Sequence, residues 1–196
     1  MELKENIPTA KSIKRDEIVR QAFDLFYKDG FHATGVDSVV EGTGISKRTL
    51  YKYFGSKEGL IVAAIGYYHI WAYNAIYEYL NRNPKLSPKE KVLYLFDYLS
   101  ELIDSGNLKG CFAMNAKSEY NGQSPEIEHC CNAYTTAIET LIYGYLKDAN
   151  MTNSKKLAMQ IMILFGGAIV HSKFKGNSTA AKQARYVAEL LLDSSL

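Results

Sequence analysis

The chain has 196 residues, 47% of them hydrophobic, and a formal charge of +2 from 23 basic and 21 acidic side chains. Those values suit a globular protein with one core, or two small cores sharing a helix, and exclude both a highly charged disordered chain and a generally basic one. Affinity for a polyanion must then come from a local patch.

Residues 1–10 are polar, contain a proline and lack the apolar core of a signal peptide; Lys4 against Glu2 and Glu5 favours a loose arm over one that enters a DNA groove. Nowhere does an uninterrupted apolar run approach the ~20 residues that span a bilayer, so a cytoplasmic protein with no membrane partner is expected. Over residues 11–28, Ile18, Val19, Ala22, Phe23, Leu25 and Phe26 recur at helical spacing, and Asp29-Gly30 closes the helix. A short second helix follows Thr34, which stands at capping-box spacing from Asp37; Val36, Val39 and Val40 form its apolar face.

The glycines of Gly42-Thr43-Gly44 permit a sharp reversal, and Ser46 caps a helix over residues 47–53. Leu50 and Phe54, four apart, face inward with Val36, Val39 and Ile45, leaving Lys47, Arg48, Thr49, Tyr51 and Lys52 outside. Between Glu41 and Glu58 there is no acidic residue, while Lys47, Arg48, Lys52 and Lys57 are all basic, so the local field calls for a polyanion. Lys57 follows Ser56, the N-cap of the next helix. A phosphate docked there would share helix N–H groups with the lysine head; the plainer alternative is a solvated lysine offset by Glu58.

The segment Gly30-Phe31-His32-Ala33-Thr34-Gly35-Val36, the turn Gly44-Ile45-Ser46 and the run Thr49-Leu50-Tyr51-Lys52-Tyr53-Phe54-Gly55-Ser56-Lys57-Glu58-Gly59-Leu60 resemble the N-terminal DNA-binding domain of TetR/AcrR transcriptional regulators, over residues 13–65. The resemblance implies an all-α fold with a three-helix helix-turn-helix head at 1–56 and a helical ligand-binding and dimerisation domain at 57–196. It implies Lys47, Arg48 and Thr49 at base edges, with Arg48 reading guanine, and Thr34, Tyr51, Tyr53 and Lys57 at phosphates or sugars. The implied protein is a homodimeric repressor of a palindromic double-stranded DNA operator, released by a small-molecule effector and needing no cofactor.

From residue 57 a helix can run unbroken to 80, long enough at ~1.5 Å per residue to leave the head. Tyr67, Tyr68, Trp71, Tyr73, Tyr77 and Tyr79 make it aromatic, which suits a filled core or a cavity wall. Ser87-Pro88-Lys89-Glu90 is a capped proline start for a helix burying Val92, Leu93, Leu95, Phe96, Leu99 and Leu102, and it ends near Ser105-Gly106. The run from Lys109 to Tyr120 is similar to a Gly-Cys…Asn-Ala…Glu pattern in C-terminal domains of the same family. Ser124-Pro125-Glu126 opens a helix reaching about residue 147, and two more cover 154–173 and 179–193. The apolar, small-residue faces of this last pair fit a four-helix interface with a second copy; the alternative is closure of their own subunit's core.

An enzyme reading finds no motif. His32, His69, His129 and His171 are scattered, and there is no nucleophile elbow or phosphate loop, although a small helical enzyme or ligand carrier remains the competing class. Glu128-His129-Cys130-Cys131 has zinc-type ligands, but consecutive residues fan around a helix, so no metal site is expected. Cys111, Cys130 and Cys131 make a poor disulfide framework. Cys111 reads either as an electrophile or redox sensor activated by helix N–H groups and Lys109, or as a small buried residue. Trp71, Phe112, Asn115, Glu119 and Tyr134 are the candidates for an effector pocket with aromatic walls and a few polar groups.

Overall fold

A computed structural model describes residues 10–41 and 43–195. The readings made on residues 1–9 and on Gly42 lie outside the described residues. Among the described residues the chain is helical, in the order α1 (Ala10–Asp29), α2 (Val36–Glu41), α3 (Lys47–Phe54), α4 (Lys57–Asn81), α5 (Pro88–Asp104), α6 (Phe112–Glu119), α7 (Pro125–Asp148), α8 (Ser154–Lys175) and α9 (Thr179–Asp193).

Local signals set most starts. Ser46, Ser56 and Ser124 each accept a backbone N–H of the first turn, and Ser87 and Glu90 close a reciprocal capping box ahead of α5. The box expected at Thr34 and Asp37 does not form. Thr34 is buried, and its hydroxyl donates to Gly30 O at 2.7 Å, because a buried hydroxyl takes the carbonyl within reach of the tight turn behind it.

Helices α1 to α3 make the head. Helix α4 starts under α3, packs along α1, and continues into the body against α5 and α7; α8 and α9 pair with each other and close on α7 and α5. The buried side chains from Ile18 to Leu192 form one contiguous core through both halves. Its midpoint is Phe112, the first residue of α6, which is fully buried with its ring 4.9 Å from that of Phe23, 4.8 Å from Phe31 and 5.4 Å from Tyr68. Phe23 and Phe31 belong to the head and Tyr68 to α4, so one ring binds three parts of the molecule.

Helix α8 is long and apolar enough, by length and composition alone, to cross a membrane. A count of uninterrupted apolar runs misses this because single polar residues such as Gln160 divide the sequence. The helix buries one side against α7 and α9 and leaves Met159, Ile163, Val170 and Phe174 exposed along the other, next to Tyr186, Val187 and Leu190 of α9.

Replacing Phe112 by Ala removes the shared ring and should cost about 3–5 kcal/mol, the usual range for a buried Phe. Urea unfolding monitored by circular dichroism reads it; a loss below about 1 kcal/mol would show that head and body do not depend on this contact.

Candidate nucleic-acid interface and cavity

The outer face of α3 is built by its two ends and one anchor. Ser46 Oγ accepts from Thr49 N at 3.2 Å, Leu50 is fully buried underneath, and Gly55 leaves the helix with φ 76°. Gly59, in the first turn of α4, admits no other residue without movement: a Cβ there would stand 2.0 Å from Phe54 O. That close approach sets how α3 leaves α4 and hence where its outer face points.

On that face Lys47, Arg48, Tyr51 and Lys52 are exposed. Thr49 is half-buried with its hydroxyl 3.0 Å from Ser46 Oγ, and Tyr53 is half-buried against the core beside Phe54. Lys47 has a partner that a local charge count overlooks: its Nζ lies 2.6 Å from Asp37 Oδ1 on α2, a hydrogen bond that holds the ammonium pKa above its ordinary value. The patch keeps Arg48 and Lys52 as its cations outside any ion pair among the described residues, while Lys47 shares its charge with Asp37. Lys57 Nζ donates to His32 O at 3.4 Å, tying the start of α4 to the α1–α2 loop. Thr34 stands apart from the other six candidates, since its hydroxyl is buried and its role is to hold that loop.

A cavity of about 250 Å³ lies where head and body meet. Tyr27, Tyr68, Trp71, Tyr98, Cys111 and Tyr134 supply much of its wall, backed by Phe165 and Ile169, and no charged side chain lines it. The Tyr68 hydroxyl donates to that of Tyr134 at 3.4 Å and sits 3.6 Å from Cys111 Sγ. Burial pushes the Tyr27 pKa up to about 12 and raises those of Tyr68, Tyr98 and Tyr134, so these phenols stay neutral donors. A wider groove of about 600 Å³ between α7 and α8 shares Cys111, Tyr134, Phe165 and Ile169 with the cavity and opens beside Met159, Ile163 and Val170. The smaller space is the more closed of the two, with Tyr27 of the head on one side and body helices on the others, whereas the groove opens on the bare apolar side of α8.

Of the five pocket candidates, the structure places Trp71 and Tyr134 on the cavity wall. Phe112 fills the joint behind it. Asn115 and Glu119 lie elsewhere: Asn115 Oδ1 accepts from Lys173 Nζ at 3.2 Å, and the Glu119 carboxylate accepts from the head, from Phe31 N at 3.2 Å and His32 N at 2.8 Å. Asn115 and Glu119 both line a separate, polar groove between α1 and α6, beside Lys109 and Lys173, and do not reach the aromatic cavity. Tyr27, Tyr98, Phe165 and Ile169 went unremarked as pocket residues because they come from α1, α5 and α8, far apart in sequence, and only the packing brings them together.

Cys111 is buried, and desolvation raises its thiol pKa more than the Met114 and Ala113 amides and the Lys173 charge lower it. The lysine charge acting on the thiol is that of Lys173 and not that of Lys109, the expected activator. Around Glu128-His129-Cys130-Cys131 the side chains diverge: Glu128 Oε1 accepts from Gly122 N at 2.7 Å, His129 is exposed, and Cys131 is buried with its thiol pushed up to about 11. At pH 7 iodoacetamide should therefore alkylate Cys111 and Cys131 in the native protein on the order of tenfold more slowly than in urea, with the rate climbing above pH 9. Peptide mass spectrometry measures this, and equal native and unfolded rates at Cys111 would contradict a thiol kept neutral by burial.

Residues 18–64 match the family described as bacterial regulatory proteins, tetR family, and residues 88–186 match the C-terminal domain of LmrA/YxaF-like transcriptional regulators. The chain is 30% identical over 142 residues to the HTH-type transcriptional repressor ComR of Escherichia coli (strain K12), a match covering 69% of this chain and 65% of that protein. It is 23% identical over 176 residues to the uncharacterized HTH-type transcriptional regulator YuxN of Bacillus subtilis (strain 168), covering 82% and 58%. The chain thus spans less than two thirds of these relatives' own length. A crystal structure of a TetR transcriptional regulator from Legionella pneumophila superposes with a TM-score of 0.76 at 25% identity, over 95% of this chain and 99% of that one.

Proposed function

Because the chain belongs to the TetR family of transcriptional regulators, whose members are DNA-binding proteins and not enzymes, we propose that it is a homodimeric repressor, released from a palindromic operator by a small-molecule effector. The observation that carries this reading is the outer face of α3, where Lys47, Arg48, Tyr51 and Lys52 stand exposed on a short helix held rigidly by Ser46, Leu50 and the Gly59 contact.

In the major groove, Arg48 reads a guanine with its two parallel N–H donors, and Lys47 leaves Asp37 for a base edge beside Thr49. Tyr51, Tyr53 and Lys57 hold the backbone on either side; Thr34 supports them from within. Two heads on a two-fold axis engage half-sites ~34–36 Å apart, one turn of duplex. The second copy covers the apolar stripe of Met159, Ile163, Val170 and Phe174 with its own α8 and α9, which accounts for side chains that water would otherwise face. A DNA-binding regulator of this kind works in the bacterial cytoplasm.

The effector fits the enclosed cavity. Its aromatic wall and neutral phenols select an uncharged, partly aromatic compound that accepts hydrogen bonds. Release is a population shift, so the compound must bind one dimer geometry better than the other. The Cys111 sensor reading has no support in a thiol that burial holds neutral.

On an operator recovered by selection, Arg48→Ala should cost about 1–3 kcal/mol and relax the preference at one base pair in each half-site, and Lys47→Ala with Arg48→Ala together should abolish specific binding. Fluorescence anisotropy at fixed salt measures both. A double variant that binds like the parent would remove α3 as the reading helix.

A further inference from the structure

Glu119 has a place in the fold that the regulator reading does not use. It is the last residue of α6, a body helix, yet both hydrogen bonds accepted by its carboxylate among the described residues come from the head, from Phe31 N at 3.2 Å and His32 N at 2.8 Å. Gly30 makes that possible: its φ of +91° turns two successive N–H groups toward one point, and a Cβ on it would stand 3.4 Å from Glu119 Oε1. Successive amides converging in this way form a small anion-binding concavity, here filled by a side chain from the other half of the molecule.

The same loop is held twice more. His32 Nε2 lies 2.9 Å from the Glu119 carbonyl oxygen, and the imidazole stacks on Tyr120 with ring centres 4.7 Å apart. Lys57 Nζ donates to His32 O, so the loop gripped by Glu119 is joined to the first turn of α4, from which α3 hangs. At its other end α6 is preceded by its N-cap Cys111, which lines the cavity, and the Tyr27 hydroxyl there donates to Gly110 O at 2.7 Å and accepts from Lys109 N. Helix α6 is therefore a short rod that meets the head at both ends and borders the cavity at its start.

We propose that Glu119 is a positioning residue for operator recognition: by gripping the Phe31 and His32 amides it fixes the angle of the head against the body, and so the spacing of half-sites that the dimer accepts. This rests on the dimeric-regulator reading. Ring contacts at Phe112 hold head and body together but let rings slide, because apolar attraction is non-directional. A carboxylate shared by two amides sets an angle, because charge-assisted hydrogen bonds weaken steeply when misaligned.

Glu119→Gln keeps the shape but replaces one of the two accepting oxygens by an NH2 group, so one amide loses the oxygen it now faces, and both bonds lose the charge. Two measurements on the full-length protein test it. Hydrogen exchange at the Phe31 and His32 amides, which needs no DNA, should quicken on the order of tenfold in the variant while α4 keeps its protection. Binding to a selected operator, and to versions with one base pair added or removed between half-sites, should show the wild type discriminating by roughly tenfold and the variant by about threefold or less. His32→Ala, which removes the ring's grip on the Glu119 carbonyl, should lower the same ratio and carries the test if Glu119→Gln does not fold. Unchanged amide exchange, or freed amides with an unchanged spacing ratio, overturns the proposal. A wild type that selects no operator or shows no spacing preference overturns the regulator reading itself, and the positioning role with it.

Discussion

The fold depends on the burial of Phe112 between a small head and a larger helical body. The head has one long helix and two of six and eight residues, a small unit with a small core of its own. Placing Phe112 against Phe23, Phe31 and Tyr68 lets the head borrow the core of the body, so the buried side chains run without a break from α1 to α9. Helix α4 runs alongside that joint and carries α3 at its start. The outer face of α3 is thus held by packing that begins in the C-terminal half, and any rearrangement of the cavity wall at Tyr68 or Cys111 falls next to the joint.

Charge is arranged on the same local principle. A chain of net charge +2 has no long-range pull on DNA, and the patch on α3 is small. It is further tempered by Asp37, which occupies Lys47 in the free protein. On the proposed reading such a surface favours selectivity over indiscriminate affinity, because Lys47 would exchange Asp37 for DNA whereas Arg48 has no ion-pair partner among the described residues to give up. The cavity uses the opposite device, excluding charge and leaving phenols neutral through burial.

What could be read from the sequence follows the range of the interactions involved. Ser46, Ser56, Ser87 and Ser124 were legible as helix caps because each partner lies three residues away in the chain. The apolar faces of α1, α3 and α5 were legible from their spacing, and the α3 face of Lys47, Arg48 and Tyr51 followed by elimination. Thr34 was misread because the capping spacing to Asp37 competes with a turn whose carbonyl lies closer. Glu119 and Asn115 turn away from the aromatic cavity toward partners, Phe31, His32 and Lys173, that are far off in sequence, and polarity alone does not say which way a side chain turns. The cavity wall contributed by Tyr27 and Tyr98 needed the packing of helices that no local pattern encodes.

The central claim, that two copies of this chain present α3 to a two-fold DNA site, is tested most directly by selecting binders from random-sequence duplexes with the purified protein at a fixed salt near physiological, since phosphate contacts make affinity steeply salt-dependent. The account predicts an enriched palindrome with half-site centres about one helical turn apart. Enrichment of a single unrepeated half-site, or of nothing at several salt concentrations, would contradict it.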